Sequence, residues 1–156
     1  MTTAGPEVGS GGGRSARLAL LARAEPAELG AAWERLRPLP DYRLLRPGET
    51  GLVMVRGRAG ATGRQFNLGE VTVSRASARL EDGRVGHGYL LGRRRRCAER
   101  IAVLDALLQA DGPQRADLEE LLATVRARLE GERTRTARRA AATRVEFFTM
   151  AREGGA

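Results

Sequence analysis

The chain has 156 residues, 42% of them hydrophobic and 29% charged. That suits one domain with a core, and excludes both a wholly disordered chain and two ordinary domains. The net charge is +8, yet all 27 basic residues are arginine, as a GC-rich coding bias writes them, so the excess favours anionic partners only mildly.

Cys97 and His87 are the only cysteine and the only histidine. An intramolecular disulfide is excluded, as are a zinc site of four N/S ligands and an iron–sulfur cluster held by this chain alone. No metal and no cofactor are expected on it.

Residues 1–13 are rich in Gly, Thr and Ser and are expected to be a flexible tail ahead of a single domain at 14–150, with a short tail at 151–156. Ser15 is placed to cap a first helix carrying Leu18 and Leu21. The cluster at Leu18–Ala22 is too short and too helical in context for a secretory segment. Pro26 suits the first turn of a second helix, where Leu29, Trp33 and Leu36 form one apolar stripe before Pro38 and Pro40 end it. Tyr42–Leu45 predicts a short strand before a turn at Pro47-Gly48. Residues Gly51–Arg56 are apolar on both faces, the pattern of a strand covered on both sides. This longest apolar run is a strand's worth, far below a bilayer span, so no membrane association and a cytoplasmic place are expected.

A loop with three glycines follows at Gly57–Gly63. In the next strand, to Leu80, Val71 and Val73 hold one parity while Ala76, Ala78 and Leu80 hold the other, which predicts a bulge near Ser74 and Arg75. Asp82-Gly83 predicts a two-residue type I′ turn into the alternating Val85, His87, Tyr89 and Leu91. Beyond Gly92 the period is helical, with Ile101, Leu104 and Leu108 on one face. Asp111-Gly112-Pro113 breaks that helix and starts another through Leu118, Leu121, Leu122, Val125 and Leu129. Val145–Met150 predicts a final strand whose Phe147 and Phe148 point to opposite faces, one of them a candidate interface anchor. Helices, then strands, then helices predict an α+β fold: an antiparallel sheet of about four to five strands with N-terminal and C-terminal helices packed on it.

Four pieces occur together: Gly51–Glu70 with its Phe66-Asn-Leu-Gly-Glu70, Gly86-His-Gly-Tyr89 followed by Gly92-Arg93, Asp105-Ala-Leu-Leu-Gln109, and Ala141–Met150 with its Phe-Phe-Thr-Met. In this order and spacing, over about residues 14–152, the chain resembles the PhnG family of phosphonate metabolism. The resemblance implies a non-catalytic or substrate-supporting subunit of the carbon–phosphorus lyase core complex, beside PhnI-, PhnH-, PhnJ- and PhnL-type subunits. The complex's reaction displaces adenine from ATP by an alkylphosphonate to give a ribose 1-phosphonate 5-triphosphate, a transferase reaction in which this chain alone is expected to be inactive. The family commonly has Thr-Arg-Cys where this chain has Ser74-Arg75-Ala76, and a His near Cys97. No metal or thiol role is carried over to either place.

Three sets of residues are candidates for chemistry. Arg56, Arg58 and Arg64, with Gly60 and Gly63 for close backbone approach, are candidate binders of substrate phosphate. The loop matches no known nucleotide cradle, and a flexible hairpin loop docked against a partner subunit is the preferred account of it. Glu70 is a candidate acid for departing adenine, or simply the ion-pair partner of a nearby arginine. His87 is the readiest proton carrier, or a satisfied core or interface side chain. Arg93–Arg96 sets four like charges at a helix N-terminus, which opposes the helix dipole unless anions offset it. Two other readings stay open: a directly catalytic subunit, and a basic nucleic-acid-binding module, against which no nucleic-acid partner is expected.

Overall fold

The computed structural model describes residues 13–60 and 62–143. Its elements are α1 (Arg14–Leu21), α2 (Pro26–Arg35), β1 (Tyr42–Arg58), β2 (Gln65–Leu80), β3 (Val85–Leu91), α3 (Arg95–Leu107) and α4 (Arg115–Ala142). The strands form one antiparallel sheet in the order β1-β2-β3. The α+β class is as expected, with three strands among the described residues rather than four or five. The predicted strand at 145–150, with Phe147 and Phe148, lies outside those residues.

Two of the expected strands are one. Tyr42–Leu45 and Gly51–Arg56 join into a single strand of 17 residues. Pro47-Gly48 is a bulge inside it: the pairing runs Arg46↔Ser77 and then Glu49↔Arg75, two residues of β1 against one of β2. The bulge therefore sits opposite the predicted place, and β2 alternates regularly from Gly69 to Leu80. The change of parity along β2 has another cause. Ser74, Ala76, Ala78 and Leu80 face α3, whereas alternation puts Val71 and Val73 on the other face, Val71 exposed and Val73 buried.

Gly86 and Gly88 decide how α3 meets the sheet. A Cβ on Gly88 would lie 1.9 Å from the carbonyl oxygen of Ala98, and one on Gly86 2.0 Å from that of Ala102. Only glycine lets the helix backbone approach a strand so closely. With Ala98, Ala102 and Ala106 as its contact stripe, α3 lies against all three strands. Its Ile101, Val103, Leu104, Leu107 and Leu108 are buried too, so it is covered all round. α1 and α2 pack against α3 and α4, bringing Leu21, Leu29 and Leu36 together with Leu118, Leu121, Leu122 and Val125 in one core. The N-terminal helices and α4 thus reach the sheet mainly through α3.

Local chemistry adjusts the other expectations. α1 begins at Arg14 with Gly13 as N-cap, so Ser15 is already inside the first turn. Pro26 opens α2 as predicted, and Glu28 reaches back to the Glu25 N–H at 2.8 Å. At the β2–β3 turn only Gly83 takes a positive φ, +90°. Leu80 accepts from Gly83 at 3.0 Å and pairs with Arg84, giving three loop residues rather than a type I′ pair. The Asp82 carboxylate holds this form by accepting from the Arg84 N–H at 3.0 Å and its guanidinium at 2.7 Å. No helix among the described residues is long and apolar enough to cross a membrane.

Gly88→Ala should push α3 off the sheet and lower stability by about 3 kcal/mol, read as the shift of a urea unfolding midpoint. A second test concerns α2 and α4, joined where Arg128 donates to Glu28 at 2.8 and 3.0 Å. Those bonds hold the Glu28 carboxyl below its ordinary value. A depressed carboxyl stabilises above its unfolded value and loses that contribution as pH falls through its folded one. Glu28→Gln should therefore be less stable at neutral pH, by at most about 1 kcal/mol, and the gap should close in acid. Melting curves at descending pH check this.

Candidate functional site

The candidate residues sit on β1, β2 and β3, and the strand register decides which of them meet. Met54 pairs with Glu70, Arg56 with Asn67 and Arg58 with Gln65. Leu68 is the extra residue at the last of the three irregularities in the β1–β2 pairing, which lie between Leu44 and Arg46, Arg46 and Glu49, and Val55 and Arg56. Arg56 and Arg58 alternate onto the same face as Glu70, so the acid and two arginines share one side of the β1–β2 ribbon. All three are exposed, and none has an ion-pair partner among the described residues. Arg56 borders a shallow recess of about 320 Å³ with Gln65, Phe66 and Asn67.

Arg64 and Gly60 are exposed in the loop that closes this ribbon, Gly60 at φ +68°. A Cβ on Gly63 would lie 2.0 Å from the Ala59 carbonyl oxygen, so that glycine is required by the loop's own closure. Gly57 belongs to β1 and leaves room beside Phe66 and Leu68, both 3.7 Å from where its Cβ would be.

His87 is elsewhere. It is exposed on the outer face of the sheet, opposite Ser77, with Nδ1 3.0 Å from the Ser77 hydroxyl. Ser77 is seven positions along β2 from Glu70, on the order of 20 Å at the usual strand rise, and the odd spacing puts the two side chains on opposite faces. The structure brings Glu70 together with Arg56 and Arg58, and separates them from His87.

The arginine run divides its roles. Arg94 turns inward: its N–H donates to the buried Ser74 hydroxyl at 2.8 Å and its guanidinium to the carbonyls of Leu91 and Ala24. Ser74 in turn donates to the Gly92 carbonyl at 2.7 Å. Arg93, Arg95 and Arg96 are exposed, and the first turn of α3 holds no acid. Among the described residues no three His, Cys, Asp or Glu side chains gather as a metal site would require.

Sequence reasoning passed over two features. The first is Asp105, 2% exposed, a buried carboxylate on α3. It accepts from Arg14 at 2.7 and 3.1 Å and from the His87 backbone N–H at 2.9 Å. Arg14 and Gln109 both donate to the Val85 carbonyl. Asp105 in the last turn of α3 and Gln109 in the turn just past its end, i and i+4, both reach the free edge of β3. The spacing carried that signal, though only the edge strand gives it meaning. The second feature is the set of exposed apolar side chains: Leu52, Val53, Met54, Phe66, Leu68, Val71, Tyr89 and Leu91. The pattern of Gly51–Arg56 predicts a strand covered on both sides, and within the described residues it is covered on neither.

Comparison with known proteins gives the chain its relatives. A family model described as "Phosphonate metabolism protein PhnG" matches residues 13–153. A curated relative from Rhizobium meliloti (strain 1021), the alpha-D-ribose 1-methylphosphonate 5-triphosphate synthase subunit PhnG, is 52% identical over 133 residues, which is 85% of this chain and 85% of its own length.

Asp105→Ala should cost about 2 kcal/mol, chiefly because it leaves the His87 N–H without its acceptor, the half-exposed Arg14 guanidinium keeping its access to water. Chemical denaturation should show it, with Asp105→Asn losing less because an amide oxygen can still accept.

Proposed function

The chain belongs to the PhnG family of phosphonate-metabolism proteins, and from that premise we propose that it is a subunit of a ribose 1-methylphosphonate 5-triphosphate synthase which supports the reaction without supplying its reacting groups. The partners in this reading are PhnI-, PhnH-, PhnJ- and PhnL-type chains in the cytoplasm. The substrates of the assembly are ATP and an alkylphosphonate.

One observation carries the reading: the side chains able to move a proton do not converge. Glu70 and His87 lie on opposite faces of the sheet, and both are open to water. Displacing adenine from a ribose carbon calls for a protonated leaving group and a stabilised cationic sugar held in one water-poor cavity. A lone exposed carboxylate meets neither need, and an exposed imidazole bound to Ser77 is no better placed. The missing groups must then come from another chain.

A second reading gives Arg56, Arg58 and Arg64 to the substrate triphosphate, with Gly60 and Gly63 shaping the loop around it. It is favoured by the absence of any ion-pair partner for these arginines among the described residues. In this version the chain touches substrate while the chemistry stays on its partners.

The purified chain given ATP and methylphosphonate should release no adenine above background, while the co-expressed assembly should turn over. Within that assembly Glu70→Gln and His87→Ala should each change kcat by less than about tenfold, against the hundredfold or more expected from loss of a general acid or base. Adenine release by the isolated chain, or a hundredfold loss in an intact assembly, would make this subunit catalytic.

A further inference from the structure

The cover that α3 provides ends near Gly48, where a Cβ would come 2.7 Å from the Arg95 carbonyl oxygen. Beyond that point β1 and β2 continue as a ribbon of two strands, Thr50–Arg58 paired with Gln65–Ser74, while β3 pairs no further along β2 than Val73. An isolated two-stranded hairpin is marginal in water even when its residues suit it. These do not suit water. Leu52 and Met54 project on the α3 side and Val53 and Val71 on the other, with Phe66 and Leu68 beside Gly57 near the tip. Leu52 is 63% exposed and Leu68 65%. On the outer face the apolar surface continues through Tyr89 to Leu91. Exposed apolar area of this extent, on a segment whose sequence is that of a doubly covered strand, marks a contact surface.

We propose that this ribbon is a docking arm that inserts into an apolar slot with an acidic far end on a different subunit of the assembly, an inference that rests on the subunit role proposed above. Charge selects the occupant. The body carries arginines of both kinds: Arg14, Arg46, Arg75, Arg84, Arg115 and Arg128 are paired with carboxylates, whereas Arg43, Arg79, Arg93, Arg95, Arg96 and Arg126 have none among the described residues. The arm is cationic, with three arginines against the single acid Glu70. The arm's Arg56, Arg58 and Arg64 have no such partner among the described residues. Carboxylates at the far end of the slot would meet these tip arginines while the apolar side chains nearer the base line its walls. A second copy of this chain is the wrong partner, since it brings the same three arginines and another +8 of charge. Single-stranded nucleic acid is disfavoured because the arm's apolar side chains are aliphatic apart from Phe66, and base stacking needs aromatic platforms.

Two variants and one cross-linking experiment test this in the co-expressed assembly. Because Leu52 and Leu68 are open to water, the double change Leu52→Glu with Leu68→Glu should leave the melting temperature of the free chain within about 2 °C. It should reduce the fraction co-eluting with the other subunits at least tenfold. Arg58→Glu with Arg64→Glu should do the same and should weaken the salt sensitivity of assembly. A photo-reactive residue at position 52 or 68 should cross-link to another subunit beside Asp or Glu, whereas one at Ala123 on the exposed side of α4 should not. Normal assembly of the leucine variant, or adducts to a second copy, to lipid or to nucleic acid, would overturn the arm and leave the subunit role standing. Intact assembly of the arginine variant with a raised KM for ATP would assign those guanidiniums to substrate and overturn the acidic far end of the slot. Failure of the unaltered chain to enter any assembly would remove the subunit role and the arm together.

Discussion

The contact on which the rest of the molecule depends is that of two α3 carbonyls, from Ala98 and Ala102, seated over Gly88 and Gly86. A side chain larger than hydrogen at either glycine would hold the helix away from the strand. Close seating lets a short-sided helix, with alanines toward the sheet and leucines elsewhere, be buried on every side. It brings the polar side chains of α3 within reach of the backbone groups at the edge of β3. It also limits the length of sheet that one helix of 13 residues covers, roughly 20 Å at the helical rise. The 17 residues of β1 extend far past it.

Two sheet margins are treated in opposite ways. The edge of β3 is closed by side chains: Arg14 and Gln109 on the Val85 carbonyl, Asp105 on the His87 N–H, Arg94 on the Leu91 carbonyl. Such capping discourages strand addition by a stray chain. The β1–β2 ribbon has no such protection and presents aliphatic side chains on both faces.

The pieces of sequence that resemble the PhnG family divide by physical role. Gly86-His-Gly-Tyr89 supplies the two close-approach glycines, and Asp105-Ala-Leu-Leu-Gln109 supplies the two groups that close the β3 edge. Both are explained within this chain. Phe66-Asn-Leu-Gly-Glu70 is not: its Phe66, Leu68 and Glu70 are exposed, and nothing in the described residues requires them. A motif with no internal explanation points outward, to whatever the chain assembles with.

Periodicity by itself determined the helices around Leu29, Leu104 and Leu121, the hairpin at Asp82-Gly83 and the α+β order, because local burial patterns and turn chemistry are written in neighbouring residues. It also determined the poverty of catalytic equipment, since a single imidazole and a single thiol are a matter of counting. Tertiary structure alone decided that Tyr42–Leu45 and Gly51–Arg56 are one strand, because Pro47-Gly48 reads locally as a turn and becomes a bulge only when β2 and the start of α3 hold it. It decided that Glu70 and His87 stand apart, since register and face depend on pairing between strands distant in sequence. And it decided what an apolar strand pattern could not: such a pattern records that a segment is to be covered, while the atoms that cover it can belong to another molecule.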